Sequence, residues 1–202
     1  LITQEGSVKG LEFFLQLKKA AMPGTVNIAT QNDERDRGFK TGKYAMVFQG
    51  PWATADLING PEFKDNPDNY GVAVIPKGPA GYGSPVGGHN YVISKDCKRL
   101  ADAVTFIRFI NSAENQVLLA VANNVLPTRH SAYADEKLQK LPVLQAFKKQ
   151  LDVASNRPVI PEGGQIYPDF TKNIQNAYEG KISAQRALQL TAEDWGKLIQ
   201  KK

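Results

Sequence analysis

The chain has 202 residues, 42% of them hydrophobic and 22% charged, with a net charge of +5 and a single cysteine. That length suffices for one large domain or two small ones, and the composition excludes disordered, collagen-like and coiled-coil readings. Cys97 alone can form neither an internal disulfide nor a Cys-rich zinc site. The basic residues are dispersed, with only short pairs such as Lys18-Lys19, Lys148-Lys149 and Lys201-Lys202, which reads as a solvated surface rather than a nucleic-acid face.

No apolar run approaches the roughly 20 residues of a membrane span. The first ten residues lack a basic start, an apolar run and a small-residue cleavage site, so the chain reads as opening inside a longer one. Val8, Leu11, Phe14, Leu15 and Leu17 recur at helical spacing and predict an amphipathic helix over 7–20, stopped by Met22-Pro23-Gly24. A short helix over 33–40 is closed by Thr41 and Gly42. The run Tyr44 to Phe48 predicts a buried strand, after which Pro51 suits the first turn of a helix carrying Trp52, Ala55 and Leu57.

Tyr70 to Ile75 predicts a second buried strand. Residues 77–88 hold five glycines with Pro79, Ser84 and Pro85, the pattern of a crossover or linker. A short strand at Tyr91 to Ile93 leads to a helix over 98–111, with Leu100, Val104, Ile107 and Phe109 or Ile110 inward. Ser112 then caps a helix over 114–123 with Val117, Leu118 and Val121 as its stripe. Further helices are predicted over 132–138, 142–153, from 167 or 168 to 178, and over 183–200 with Ala187, Leu188, Leu190, Trp195 and Leu198 inward. Few, apolar strands separated by helices predict an α/β architecture.

The inventory of chemistry is sparse. His89 and His130 are the only histidines, Gly-x-Ser-x-Gly is absent, and no metal-binding spacing, Walker loop or dinucleotide fingerprint occurs. No catalytic residue, metal or cofactor is therefore assigned. What stands out is aromatic residues at loops and helix starts. Trp52 follows Gly50-Pro51 at the end of a strand, where α/β proteins bind ligands, and reads equally as a platform for a sugar ring or as a core residue. Tyr167 and Phe170 follow the loop Pro161-Glu162-Gly163-Gly164 and pose the same alternatives. Gly88 and His89 sit where the crossover becomes a strand and the backbone can approach a ligand closely.

The block Thr41-Gly42-Lys43-Tyr44-Ala45-Met46-Val47-Phe48-Gln49-Gly50-Pro51-Trp52-Ala53 resembles bacterial extracellular solute-binding proteins of the maltose- and oligosaccharide-binding kind. Tyr70 to Pro76, Gly87-Gly88-His89-Asn90-Tyr91-Val92-Ile93-Ser94 and Leu126-Pro127-Thr128-Arg129 follow in the order of that family. The resemblance implies a periplasmic-binding-protein-like, type II two-lobed clamp, of which this chain is the C-terminal portion. Residues 1–77 and 132–202 would belong to the C-terminal lobe, 78–88 to the hinge crossover and 84–131 to the other lobe.

By the same resemblance, Trp52 is the cleft tryptophan that stacks on sugar, Tyr167 or Phe170 supplies another stacking aromatic, and Gly88 and His89 meet ligand at the hinge exit. The implied partners are an oligosaccharide, most simply a maltodextrin, the permease subunits of an ABC importer, and the N-terminal half of the same protein; the implied location is extracytoplasmic, in the periplasm or lipid-anchored at the cell surface. The resemblance implies a binding protein and not an enzyme. Two alternatives stay open: a receptor of this fold for a non-sugar solute, and a fragment of a sugar-active enzyme using carboxylates such as Asp56 or Glu162.

Overall fold

The computed structural model of the protein describes residues 2–21 and 32–200. In chain order these form α1 (Glu5–Ala21), α2 (Asn32–Lys40), a 3-10 turn at Pro51–Ala53 running into α3 (Thr54–Ile58), β1 (Pro85–Val86), α4 (Leu100–Ile110), α5 (Ala113–Asn123), a 3-10 turn at His130–Ala134, α6 (Glu136–Gln139), α7 (Pro142–Leu151), β2 (Ser155–Asn156), α8 (Ile166–Tyr178) and α9 (Ala184–Ile199). The helix stop expected at Met22-Pro23-Gly24 and the terminal Lys201-Lys202 pair lie outside the described residues. Two compact units arise, Leu1–Glu34 with Pro158–Lys202, and Arg35–Arg157.

In the first unit, α8 and α9 form an antiparallel hairpin whose apolar stripes meet α1. Leu11, Ile174, Ala177, Ala184, Ala187 and Leu188 are buried together, with Phe170 half-buried against them. Ser183 caps α9 by accepting a bond from the Arg186 N–H at 3.1 Å. Polar side chains between α8 and α9 are paired, while the Tyr178 hydroxyl is buried without a hydrogen bond among the described residues. The Asn173 amide donates to Thr191 Oγ1 at 3.3 Å and to Asp194 at 3.2 Å, while the Thr191 hydroxyl donates to the Ala187 carbonyl at 2.8 Å. Lys18 donates to the Tyr178 carbonyl at 2.6 Å and lies over the Tyr178 ring, so a cation sits at the negative end of α8.

The second unit holds two apolar clusters. Phe39, Ala53, Leu57 and Phe63 are buried with Val47 and Tyr70 around them. The rings of Phe39, Phe63 and Tyr70 lie 4.9 to 6.2 Å apart, and burial pushes the Tyr70 phenol above its ordinary value of 10.0. The other cluster joins Val117, Ala120, Ala132, Leu138 and Leu144. Gln116 is buried beside it, donating to the Ile110 carbonyl and accepting from the Thr128 N–H and hydroxyl, all between 3.0 and 3.1 Å.

The longer helices follow the sequence pattern, the helix expected over 132–138 is instead a 3-10 turn at His130–Ala134 followed by the four-residue α6, and the predicted strands do not form ladders. Tyr44 to Phe48, Tyr70 to Ile75 and Tyr91 to Ile93 form no strand, and Ala45 lies in a bend; no described strand pairs with them. A strand exists only where a neighbour takes its N–H and C=O groups, and none of the described residues supplies one. The first of these runs is not buried either, since Met46 is 88% exposed and Phe48 67% exposed, with Val47 turned toward the aromatic cluster. The paired strands are instead β1 and β2, a two-residue parallel ladder within the glycine-rich stretch and beyond α7.

Helical stripes are corrected in the same sense. On α4, Val104, Ile107 and Ile110 are half-buried, but Leu100 and Phe109 are exposed. On α5, Val117 is buried as expected, whereas Leu118 and Val121 are exposed and Gln116 and Ala120 take their place. Periodicity identifies residues that share a face; it does not supply what covers the face. No described helix is long and apolar enough to cross a membrane.

Candidate functional site

The loop after α2 carries the most unusual side chain of the second unit. Pro51 occupies the start of a 3-10 turn, its fixed φ suiting the turn and its missing N–H costing nothing there. Trp52 follows, and it is 66% exposed. It lies outside both apolar clusters of this unit. The ring folds back across Gly50. A Cβ on Gly50 would come within 2.1 to 2.5 Å of the six-membered ring of Trp52, so the indole occupies the volume that any other residue would fill.

Gln49 fixes the same loop. Its side-chain carbonyl accepts from the Gly50 N–H at 2.8 Å, and its amide nitrogen donates to both Asp36 carboxylate oxygens at 3.1 and 3.0 Å. Asp36, on α2, also accepts from Arg35 Nε at 2.8 Å. A carboxylate only accepts and a backbone N–H only donates, so the Gln49 amide has one orientation. Beneath the turn, Ala53 and Leu57 are buried in the aromatic cluster. The exposed ring thus stands on a seat held from below by packing and from one side by charge-assisted bonds.

Gly88 and His89 lie in an exposed, unpaired segment of the same unit. A Cβ on Gly88 would meet open space, whereas one on Gly87 would lie 3.3 Å from the Arg157 guanidinium. The segment leading to them is anchored through Gln150 on α7. Gln150 accepts from the Ile75 N–H at 2.8 Å and donates to Ser84 Oγ at 3.1 Å, and the Ser84 carbonyl accepts from the Ser155 N–H at 2.9 Å. One side chain therefore ties a residue before the predicted crossover to a serine within it.

Tyr167 and Phe170 belong to the other unit, on the first turns of α8. Tyr167 is 38% exposed. Phe170 is half-buried and stacks on Trp195, ring centroids 6.2 Å apart at 30°, while Trp195 Nε1 donates to the Ile166 carbonyl at 2.8 Å. The Phe170 ring is already engaged inside its own unit, which leaves Tyr167 as the more accessible of the two.

The carboxylates considered for an enzyme fall in separate units. Asp56 is engaged by Lys40, at 3.0 and 2.9 Å to its two oxygens, and Glu162 is buried at the loop before α8. Among the described residues no group of His, Cys, Asp and Glu side chains could hold a metal ion. Sequence reasoning missed Asp36, Gln49 and Gln150; amide side chains have no periodicity to betray them, and their partners lie 13 and 75 positions away.

A Gly-Pro turn presenting an exposed tryptophan, in a unit that also holds a glycine-rich crossover, is a layout suited to a solute receptor. Comparison with known proteins agrees. The profile of bacterial extracellular solute-binding proteins matches residues 2–146, and the chain belongs to that family. It is 27% identical over 187 residues to a maltodextrin-binding protein of Bacillus subtilis, covering 91% of this chain and 43% of the relative. A maltooligosaccharide ABC transporter solute-binding lipoprotein of Streptococcus pneumoniae is also 27% identical, over 92% of this chain and 43% of its own length.

Among solved structures, the GacH receptor of Streptomyces glaucescens, known unliganded and with acarbose, superposes with a TM-score of 0.88 at 30% identity, covering 99% of this chain and 51% of that one. The fold is that of the type II, two-lobed periplasmic binding proteins. The chain spans about half the length of the relatives it matches.

Proposed function

We propose that this chain supplies part of the ligand cleft of an oligosaccharide receptor that delivers its solute to an ABC importer outside the cytoplasm. The observation that carries the reading is Trp52: a large apolar residue, 66% exposed, held on a built seat instead of being buried. Sugars present an apolar ring face and a rim of hydroxyls. The face packs on an indole while directional hydrogen bonds set specificity. Maltodextrins are the ligand of choice, because the relatives named above are maltodextrin and maltooligosaccharide receptors.

In this reading Tyr167 offers a second aromatic surface, and Gly88 and His89 offer backbone and imidazole contacts at the crossover. Residues 1–77 and 132–202 form the C-terminal lobe, 84–131 contribute to the N-terminal lobe, and 78–88 are the hinge. Ligand stabilises the closed arrangement of the lobes, and the permease subunits recognise it. The remaining half of the receptor covers the exposed apolar faces, including Met46, Phe48, Leu100, Phe106 and Phe109.

The test is a titration of the intact gene product with maltooligosaccharides of increasing length, read by calorimetry and tryptophan fluorescence. Saturable binding that Trp52→Ala weakens at least about tenfold, the size of one well-packed aromatic contact, is expected. No binding, or equal affinity in the variant, overturns the reading. Release of reducing sugar by the purified protein would instead mark an enzyme.

A further inference from the structure

The contacts around Trp52 bear on how the ring is held, on the reading that its indole faces ligand. Side chains from α2 and from the loop itself converge on Gly50. Asp36 projects from α2 and is mostly covered, its side chain only 20% exposed; Arg35 Nε holds one of its oxygens at 2.8 Å. Gln49 spans from that carboxylate to the N–H of Gly50, and Gly50 is the residue on which the Trp52 ring lies. We propose that Asp36 and Gln49 are positioning residues for ligand binding: together they form an amide latch that fixes Gly50 and so holds the Trp52 ring ready for a sugar face.

The residue types are demanding. Leucine at 49 would fill the same space and make neither bond. Asparagine is a methylene too short to reach both partners. Glutamate would keep the bond from Gly50 but place a second negative charge against Asp36, where like charges at hydrogen-bond distance repel. The double variant D36N/Q49E exchanges the roles. The amide introduced at position 36 can donate to one oxygen of the carboxylate introduced at position 49, while the other oxygen still accepts from the Gly50 N–H. The latch is then rebuilt with its donor and acceptor reversed.

The experiment uses the intact gene product with maltotriose and maltopentaose as probes, and carries Q49L, Q49E, D36N/Q49E and Trp52→Ala. A hydrogen bond to a charged group is lost in Q49L, so affinity should fall about tenfold, and in Q49E by at least as much. D36N/Q49E should recover to within about threefold of the parent. In the Trp52→Ala background Q49L should have no further effect on affinity, since the latch acts only through the ring. Without ligand, the Trp52 share of the fluorescence anisotropy should drop in Q49L and return in D36N/Q49E.

Unchanged affinity and anisotropy in Q49L overturn the proposal. So does a loss of affinity that Q49L causes equally with and without Trp52, which would mean a general structural effect. If Trp52→Ala itself leaves binding intact, the platform reading fails and the latch's role in binding fails with it. If Trp52→Ala weakens binding and Q49L does not, only the latch is wrong.

Discussion

Replacing Gly50 by alanine isolates the seat of Trp52 from the ring itself. The backbone there has φ −96° and ψ 167°, an extended conformation that alanine adopts freely, so the substitution brings no backbone strain. What it brings is a methyl group 2.1 to 2.5 Å from the indole carbons, and the ring must swing away. The stability cost should be small. With 66% of the residue already exposed, about a third of a side chain that can bury roughly 200 Å² is given up, or about 1 to 2 kcal/mol.

The binding cost should be larger. A sugar ring on the indole face hides on the order of 100 Å² of apolar surface summed over both partners, about 2.5 kcal/mol, so affinity for a maltodextrin should fall between roughly tenfold and a hundredfold. Calorimetric titration beside a thermal melt separates the two costs. Gly50→Ala should resemble Trp52→Ala in binding although the indole is still present. Parent-like affinity in Gly50→Ala, or a loss of fold in place of a loss of binding, refutes the argument that the ring's position is what matters.

Three further outcomes follow from other contacts. Phe170→Ala should destabilise by about 2 kcal/mol in urea denaturation, because it empties half-buried space against Trp195, and should leave sugar binding near the parent value, while Tyr167→Ala should weaken sugar binding; the reverse assignment of the binding effects would show that Phe170 is the ring that meets ligand. Gln150→Ala leaves the Ile75 N–H and the Ser84 hydroxyl without their bonds, so hydrogen exchange at Ile75 and around β1 should quicken and stability fall by about 1 to 3 kcal/mol; an unchanged Ile75 amide would show that the tie is idle. Burial, with a smaller contribution from the charge of Asp152, pushes Tyr133 up to about 12. The folded state therefore holds that proton after the unfolded chain has lost it, and the stability Tyr133 contributes is present below pH 10 and lost as pH rises toward 12. Tyr133→Phe should flatten alkaline unfolding over that window, and a tyrosine set titrating wholly near 10 would contradict the shift.

The helices were readable because their signals are local. Ser112 and Ser183 accept bonds from the third residue onward as their capping positions require, and Gly42, at φ +72°, turns the chain after α2 where Thr41 and Gly42 were expected to close it. The strands were not, because a ladder belongs to two segments at once. Tyr70 to Ile75 has strand composition but no ladder partner among the described residues, while β1 and β2 pair through Pro85, Val86, Ser155 and Asn156, too few residues to show a period. At the site, Gly50-Pro51-Trp52 was visible because each residue type has a conformational reason to be there. The Asp36 to Gln49 pairing was not, since nothing in either neighbourhood distinguishes a gripping amide from a solvated one.

The two aromatic settings of the second unit explain what the latch is for. Phe39, Phe63 and Tyr70 reach the core by packing on one another, and their positions follow from the same burial that stabilises the fold. Trp52 receives little of that. A ring so exposed gains only part of its hydrophobic stabilisation until a partner covers it, and a free indole would lose rotamer entropy at the moment of binding, reducing affinity by about 0.5 to 1.5 kcal/mol. Pro51, Gly50 and the Gln49 amide restrict it beforehand, using backbone geometry and a carboxylate on α2 in place of burial. That arrangement leaves the apolar face open to solvent while the loop beneath it is held, which is the condition the proposed sugar platform has to meet: enough order to bind, and no contact of its own that the ligand must first displace.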